Sequence, residues 1–121
     1  MPEYDLRKRT KLLALRVIRL YGALPTGMVA HTLGKQLLRS GTSVGANYRE
    51  AYRARSDAEF IAKMGDCLRE LDETAYWLEL LVESDTIPKQ KLAPLMDETD
   101  QLIAIFTTII KKKKGNRPHA S

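Results

Sequence analysis

Arg39-Ser-Gly-Thr-Ser-Val-Gly-Ala-Asn-Tyr-Arg-Glu-Ala51 decides how this chain folds. Helix-forming runs flank it, Leu33 to Leu38 before and Ala46 to Ala54 after. Gly41 and Gly45 sit four residues apart, which places them on one face if the stretch is helical. A glycine inside a helix costs about 1 kcal/mol against alanine, so two together call for a compensating reason. A helix brought very close to a neighbour supplies one. A loop is the alternative, because Ser-Gly-Thr-Ser is also turn composition. Apolar residues continue at helical spacing through Leu37, Val44, Tyr48 and Ala51, and on that ground the stretch is expected to be helix.

Outward from this stretch, three more helices are expected. Leu6, Leu13, Val17, Leu20 and Leu24 form one stripe over residues 5–24, with Leu12, Leu15 and Ile18 widening it. Gly22 and Pro25 stop that helix, and Thr26 is the expected N-cap of the second, which runs to about Arg53. Ser56-Asp-Ala-Glu59 reads as a capping box opening a third helix to about Glu83, with Glu59 reaching back to the Ser56 amide. Cys67 falls in that helix as a small core or boundary residue. Pro88 suits a helix start, but Pro94 predicts a short turn at 88–92 and a main fourth helix from about Leu92 to Lys112. The expected fold is all-α, an antiparallel up-down four-helix bundle over residues 1–114, with 115–121 a disordered basic tail. The first and third helices carry more apolar surface than a lone bundle buries, so a homo-oligomer is expected.

Charge is unevenly laid out. Residues 1–55 carry a net +8, residues 56–110 a net −8 and residues 111–121 a net +5. Two readings follow: pairing of the halves within the fold or between subunits, or a polyanion-binding face on the first half. A nucleic-acid surface would draw phosphate contacts from Arg7, Lys8, Lys11, Arg16, Arg19, Arg49, Arg53 and Arg55, and from Lys111, Lys112, Lys113 and Lys114. The four lysines also complement a helix C-terminus without any ligand. Aromatic residues are few, and the core takes several of them, which disfavours sequence-specific single-strand recognition.

Ser40, Ser43, Asn47 and Glu50 recur at three- and four-residue spacings as a polar stripe. An inter-helix hydrogen-bond network is expected there, with Asn47 and Glu50 at least half-buried and bonded to Arg39, Glu73 or Tyr76. No His or Lys stands where it would activate Ser40 or Ser43, so no catalytic residue is expected. Paired carboxylates occur on the third helix, but without the Glu-x-x-His repeats of di-metal bundles, and His31 has no second ligand nearby. One cysteine gives neither a disulfide nor a metal motif. No metal or cofactor is therefore expected. The first ten residues are charged and no apolar run spans a membrane, so a cytoplasmic location without membrane contact is expected.

Three segments together resemble a known family: RTKLLALRVIRLYGALP at 9–25, QLLRSGTSVGANYREAYRARS at 36–56 and EFIAKMGDCLRELDETAYWLELL at 59–81. They are similar to the bacterial four-helix-bundle proteins encoded in intervening sequences of 23S ribosomal RNA genes. The carrying motif is GTSVGANYREA followed by ETxYWLELL, which includes Tyr48, Glu73 and Trp77. The resemblance implies an antiparallel bundle that assembles as a homopentamer. More distantly the chain is similar to the accessory protein of diversity-generating retroelements, a basic pentameric barrel that binds nucleic acid and a reverse transcriptase. The genomic setting of the family favours RNA over DNA as a ligand. A scaffold that contacts only other proteins is the alternative. No catalytic residue is carried over.

Overall fold

Apolar residues at three- and four-residue intervals put the chain into four helices. The structure, a computed structural model, describes residues 5–115. In order they are α1 (Leu6–Ala23), α2 (Met28–Tyr52), α3 (Asp57–Glu83) and α4 (Lys89–Gly115). The described residues contain no strand. Connectors of a few residues force each helix to run antiparallel to the one before it. The pairings agree: Thr10 of α1 meets Gly45 of α2 and Val17 meets Gly41, while Lys113 of α4 reaches Asp57 at the start of α3.

The glycine-bearing stretch is helical throughout, inside the 25-residue α2. A methyl group built on Gly41 would stand 2.7 Å from Cγ2 of Val17, and one on Gly45 would stand 3.3 Å from Oγ1 of Thr10. Gly34 likewise faces Tyr21 and Leu24. The three glycines form a stripe along which α1 lies against the α2 backbone. Leu13, Val17, Leu37, Val44, Met64, Leu71, Leu78, Leu102 and Phe106 fill the centre between the helices with no solvent exposure. Of the helix pairs that share a seam, α1 and α4 have the sparsest contact, and the bidentate ion pair of Arg9 with Glu98 ties them across it.

Helix ends differ from expectation in detail. Gly27, not Thr26, is the N-cap of α2, with φ of 136° and no side-chain cap bond. The short connection from α1 needs a backbone turn open only to glycine at this φ, so a threonine hydroxyl one residue earlier does not serve. At α3, Ser56 accepts from the Glu59 amide at 3.1 Å as expected, but Glu59 accepts from the Arg55 amide rather than that of Ser56. α3 ends in a Schellman arrangement: Asp85 takes φ of 59°, and the Thr86 and Asp85 amides donate to Leu81 and Val82. Pro94 does not interrupt α4, which is continuous from Lys89. Its missing N–H removes one bond, to the exposed Gln90, next to a first turn whose amides lack intrahelical partners anyway. α4 also runs on past Lys112 through Gly115, and the tail expected at 115–121 otherwise lies outside the described residues.

Two measurements test this packing. Gly41→Leu should lower the stability by about 1–3 kcal/mol through overpacking against the β-branched, fully buried Val17. Gly65→Ala in α3, where nothing lies within 4 Å of the added carbon, should instead raise it by about 0.5–1 kcal/mol. Urea midpoints that move the same way for both would contradict the close approach. Cys67 is fully buried, and burial pushes its thiol up to about 12, with the Asp66 charge adding to the effect. The thiolate is the reactive species, so an aromatic disulfide reagent at pH 8 should leave the folded protein unlabelled and label it stoichiometrically in denaturant.

Candidate nucleic-acid interface

Of the polar stripe on α2, only Ser40 is buried. Thr74 donates to it at 3.1 Å across the α2–α3 contact, a partner that sequence spacing did not single out. Ser43 donates to the Arg39 carbonyl and Asn47 to the Ser43 carbonyl, both one turn back on their own helix. The expected cross-helix bonds of Asn47 are therefore absent among the described residues, because an i−4 carbonyl already satisfies its amide. Glu50 is exposed and pairs with Lys63 at 2.7 Å, not with Arg39, Glu73 or Tyr76. Arg39 itself crosses to Glu70 and Glu73, so part of the acidic surface of α3 is paired with the basic first half. Those neighbours hold its guanidinium firmly in the charged form, the Glu73 bond first among them. Tyr48 is half-buried edge-on to Phe106, with ring centroids 5.9 Å apart. Burial, the largest cause, raises its hydroxyl pKa. Trp77 is half-buried beside Tyr76, and its Nε1 has no hydrogen-bond partner among the described residues. His31 is exposed at the other end of the bundle, where the Tyr21 hydroxyl lies 3.2 Å from its Nδ1.

The basic residues separate into distinct places. Arg7 and Lys11 lie on α1 one turn apart, with Thr10 and Ala14 on the same face. Opposite them Thr42, Gly45, Ala46 and Arg49 line the facing side of α2. Between the two stripes runs a groove of about 380 Å³ whose floor is made of small residues. It continues into a second hollow of about 260 Å³ bounded by Arg7, Arg49, Tyr52 and Arg53. Among the described residues no carboxylate lines either hollow. Arg7, Lys11, Arg49 and Arg53 are exposed, and none forms an ion pair among the described residues. The Arg7 guanidinium lies over the Tyr52 ring, 5.1 Å from its centroid.

Antiparallel packing brings further cations to this end. The segments 5–11, 49–60 and 107–115 hold eleven basic and four acidic side chains. Lys8 and Arg55 are exposed there, as are Lys111, Lys112 and Lys114. Lys113 is engaged instead, 3.2 Å from Asp57 and 5.5 Å from the Phe60 ring centroid. Asp5 caps α1 by accepting from the Lys8 amide, and Glu59 holds the Arg55 amide, so two of the four acids serve helix ends. Arg16 and Arg19 do not join the groove. They stand on the α4 side of α1, with Lys91, around a hollow floored by Leu20, Leu92 and Leu95. Tyr52, which the charge pattern does not single out, is 62% exposed and belongs to the groove. Its position three residues beyond Arg49, on the stripe Thr42, Gly45/Ala46, Arg49, Tyr52/Arg53, is the signal that could have found it.

The described residues hold no cluster of His, Cys, Asp or Glu suited to a metal ion, and no helix long and apolar enough to cross a membrane.

Comparison with the curated proteins finds no match. Among solved structures, a Bacteroides thetaiotaomicron protein described as of unknown function and from the S23 ribosomal protein family superposes with a TM-score of 0.84. It is 36% identical over 92% of this chain and 99% of its own. The family model described as 23S rRNA-intervening sequence protein matches residues 3–108, which span all of α1, α2 and α3 and most of α4. The chain belongs to the 23S rRNA-intervening sequence protein family.

Proposed function

We propose that this protein binds nucleic acid, RNA ahead of DNA, through the basic end of its bundle and without enzymatic activity. The observation that carries this is the α1–α2 groove, where Arg7, Lys11, Arg49 and Arg53 converge without a carboxylate among the described residues that line it. Four cations held on two rigid helices are spaced by the helix repeat and present a fixed row of phosphate partners. The small-residue floor lets a sugar-phosphate backbone approach closely. Arginine suits the task because its planar fork meets phosphate oxygens in pairs. Arg55, Lys8 and the exposed lysines at the end of α4 extend the positive field beyond the groove.

Binding of this kind releases counterions, so the logarithm of affinity falls with the logarithm of salt by about 0.7–0.9 per phosphate contact. The triple variant Arg7→Gln, Arg49→Gln, Arg53→Gln should weaken binding of an RNA hairpin and reduce that slope by about two to three. Lys111→Gln, Lys112→Gln and Lys114→Gln, which spare the paired Lys113, should give a smaller loss of both. Absence of binding at low salt to RNA and DNA hairpins and duplexes alike would overturn the reading and leave the protein-scaffold alternative.

A homo-oligomer is proposed alongside. Leu12 and Ile18 of α1 remain 46% and 48% exposed, and Met28 and Val29 at the start of α2 84% and 57%. Apolar area of this kind is characteristic of surfaces that other chains cover. The family resemblance implies five subunits. In a closed ring the basic groove is repeated, and weak contacts then add through effective concentration. Light scattering at micromolar protein should return a mass of several subunits, five by this reading; a monomer mass would remove the proposal.

A further inference from the structure

We infer that the groove selects unpaired nucleotides over duplex, taking a phosphate between Arg7, Arg49 and Arg53 and an unstacked base on Tyr52; this rests on the nucleic-acid reading proposed above. Charge alone does not require an aromatic ring in the hollow, yet Tyr52 forms part of its wall together with those three arginines. The ring keeps 62% exposure even with Arg7 over it at 5.1 Å. Tyr48, one turn back, approaches it at 6.3 Å between centroids and a tilt of 47°, which leaves the ring an outlying member of the aromatic cluster around Phe106. An exposed ring fixed at the margin of a cationic groove is a stacking platform.

The geometry discriminates between ligands. In a duplex both faces of every base are covered by neighbouring bases, so only phosphates are on offer to the groove. A loop or bulge presents a free base face within reach of its own phosphate. The hollow at this end, about 260 Å³, has three guanidinium groups for that phosphate and one ring for that base. Stacking makes no use of base edges, so the selection is for unpaired structure and not for sequence. The Arg7 cation over the ring orders the platform before ligand arrives.

The test uses the full chain and three RNA probes with equal phosphate counts: a hairpin with a uridine loop, the same hairpin with an abasic loop, and a blunt duplex in which the stem is lengthened until its phosphates match those of the hairpins. Fluorescence anisotropy at fixed salt should show the uridine-loop hairpin binding about tenfold more tightly than the other two, the scale of one stacked base. Tyr52→Leu should remove that advantage, lowering uridine-loop binding to the level of the abasic-loop hairpin measured with the same variant, whereas Tyr52→Phe, which keeps the ring, should retain it. Because Tyr52 is exposed, both variants should keep the parent melting temperature. Equal affinity for all three probes, or an equal loss on every probe from Tyr52→Leu, overturns the inference and leaves phosphate binding standing. Failure of all three to bind overturns both.

Discussion

The close approach of α1 to α2 is the constraint on which the rest of the structure depends. Gly34, Gly41 and Gly45 remove side chains from one face of α2, and Leu24, Val17 and Thr10 occupy the space. Each glycine weakens the isolated helix by about 1 kcal/mol, and burial of Val17 and Val44 in the shared interior offsets that loss. The same contact fixes the facing stripes of Arg7, Lys11 and of Arg49, Arg53 at groove width. A bulkier residue at Gly45 would lift the floor of the groove and spread its walls. Fold and candidate site therefore share one packing decision.

Charge is settled by the bundle in a different way from the linear chain. The acids of α3 do not cancel the cations of the groove, because Glu70 and Glu73 engage Arg39 and Asp66 engages Lys63 and Arg69, toward the middle of the bundle. Pairs of this exposure contribute little to stability. Their larger effect is on the field, since each paired carboxylate is opposed by a cation at contact distance. Salt at physiological strength screens over about 8 Å, so the groove responds mainly to charges within its own turn or two of helix.

Much of the fold was legible because periodicity reports burial directly. Leu13, Val17, Leu37 and Val44 lie on the stripes read from the sequence and are all fully buried. Details governed by backbone geometry were not legible. Thr26 has the right side chain for a cap, but the turn at Gly27 decides where α2 begins, and Pro94 sits where α4 can spare a bond. For the site, residue type found the arginines and lysines but could not sort them. Arg16 lies on the opposite side of α1 from Arg7, which helical spacing already implies. That Arg49 faces Arg7 is a tertiary fact, set by the register of α1 on the glycine stripe. Asn47 is half-buried as expected, but its expected cross-helix bond is replaced by one to a local carbonyl, which a polar side chain in a helix has within reach.

An even number of antiparallel helices has a practical side. Leu6 at the start of α1 and Gly115 at the end of α4 emerge at the same end of the bundle, the end that carries the groove. An acidic group placed next to Leu6 or Gly115 would stand at that end, where it would compete with a ligand for the cations of the groove. The α1–α2 connection at Pro25–Gly27 and the α3–α4 connection at Ser84–Pro88 open at the far end. Those two turns are the attachment points that leave the cationic end unencumbered for binding measurements, immobilisation or fusion.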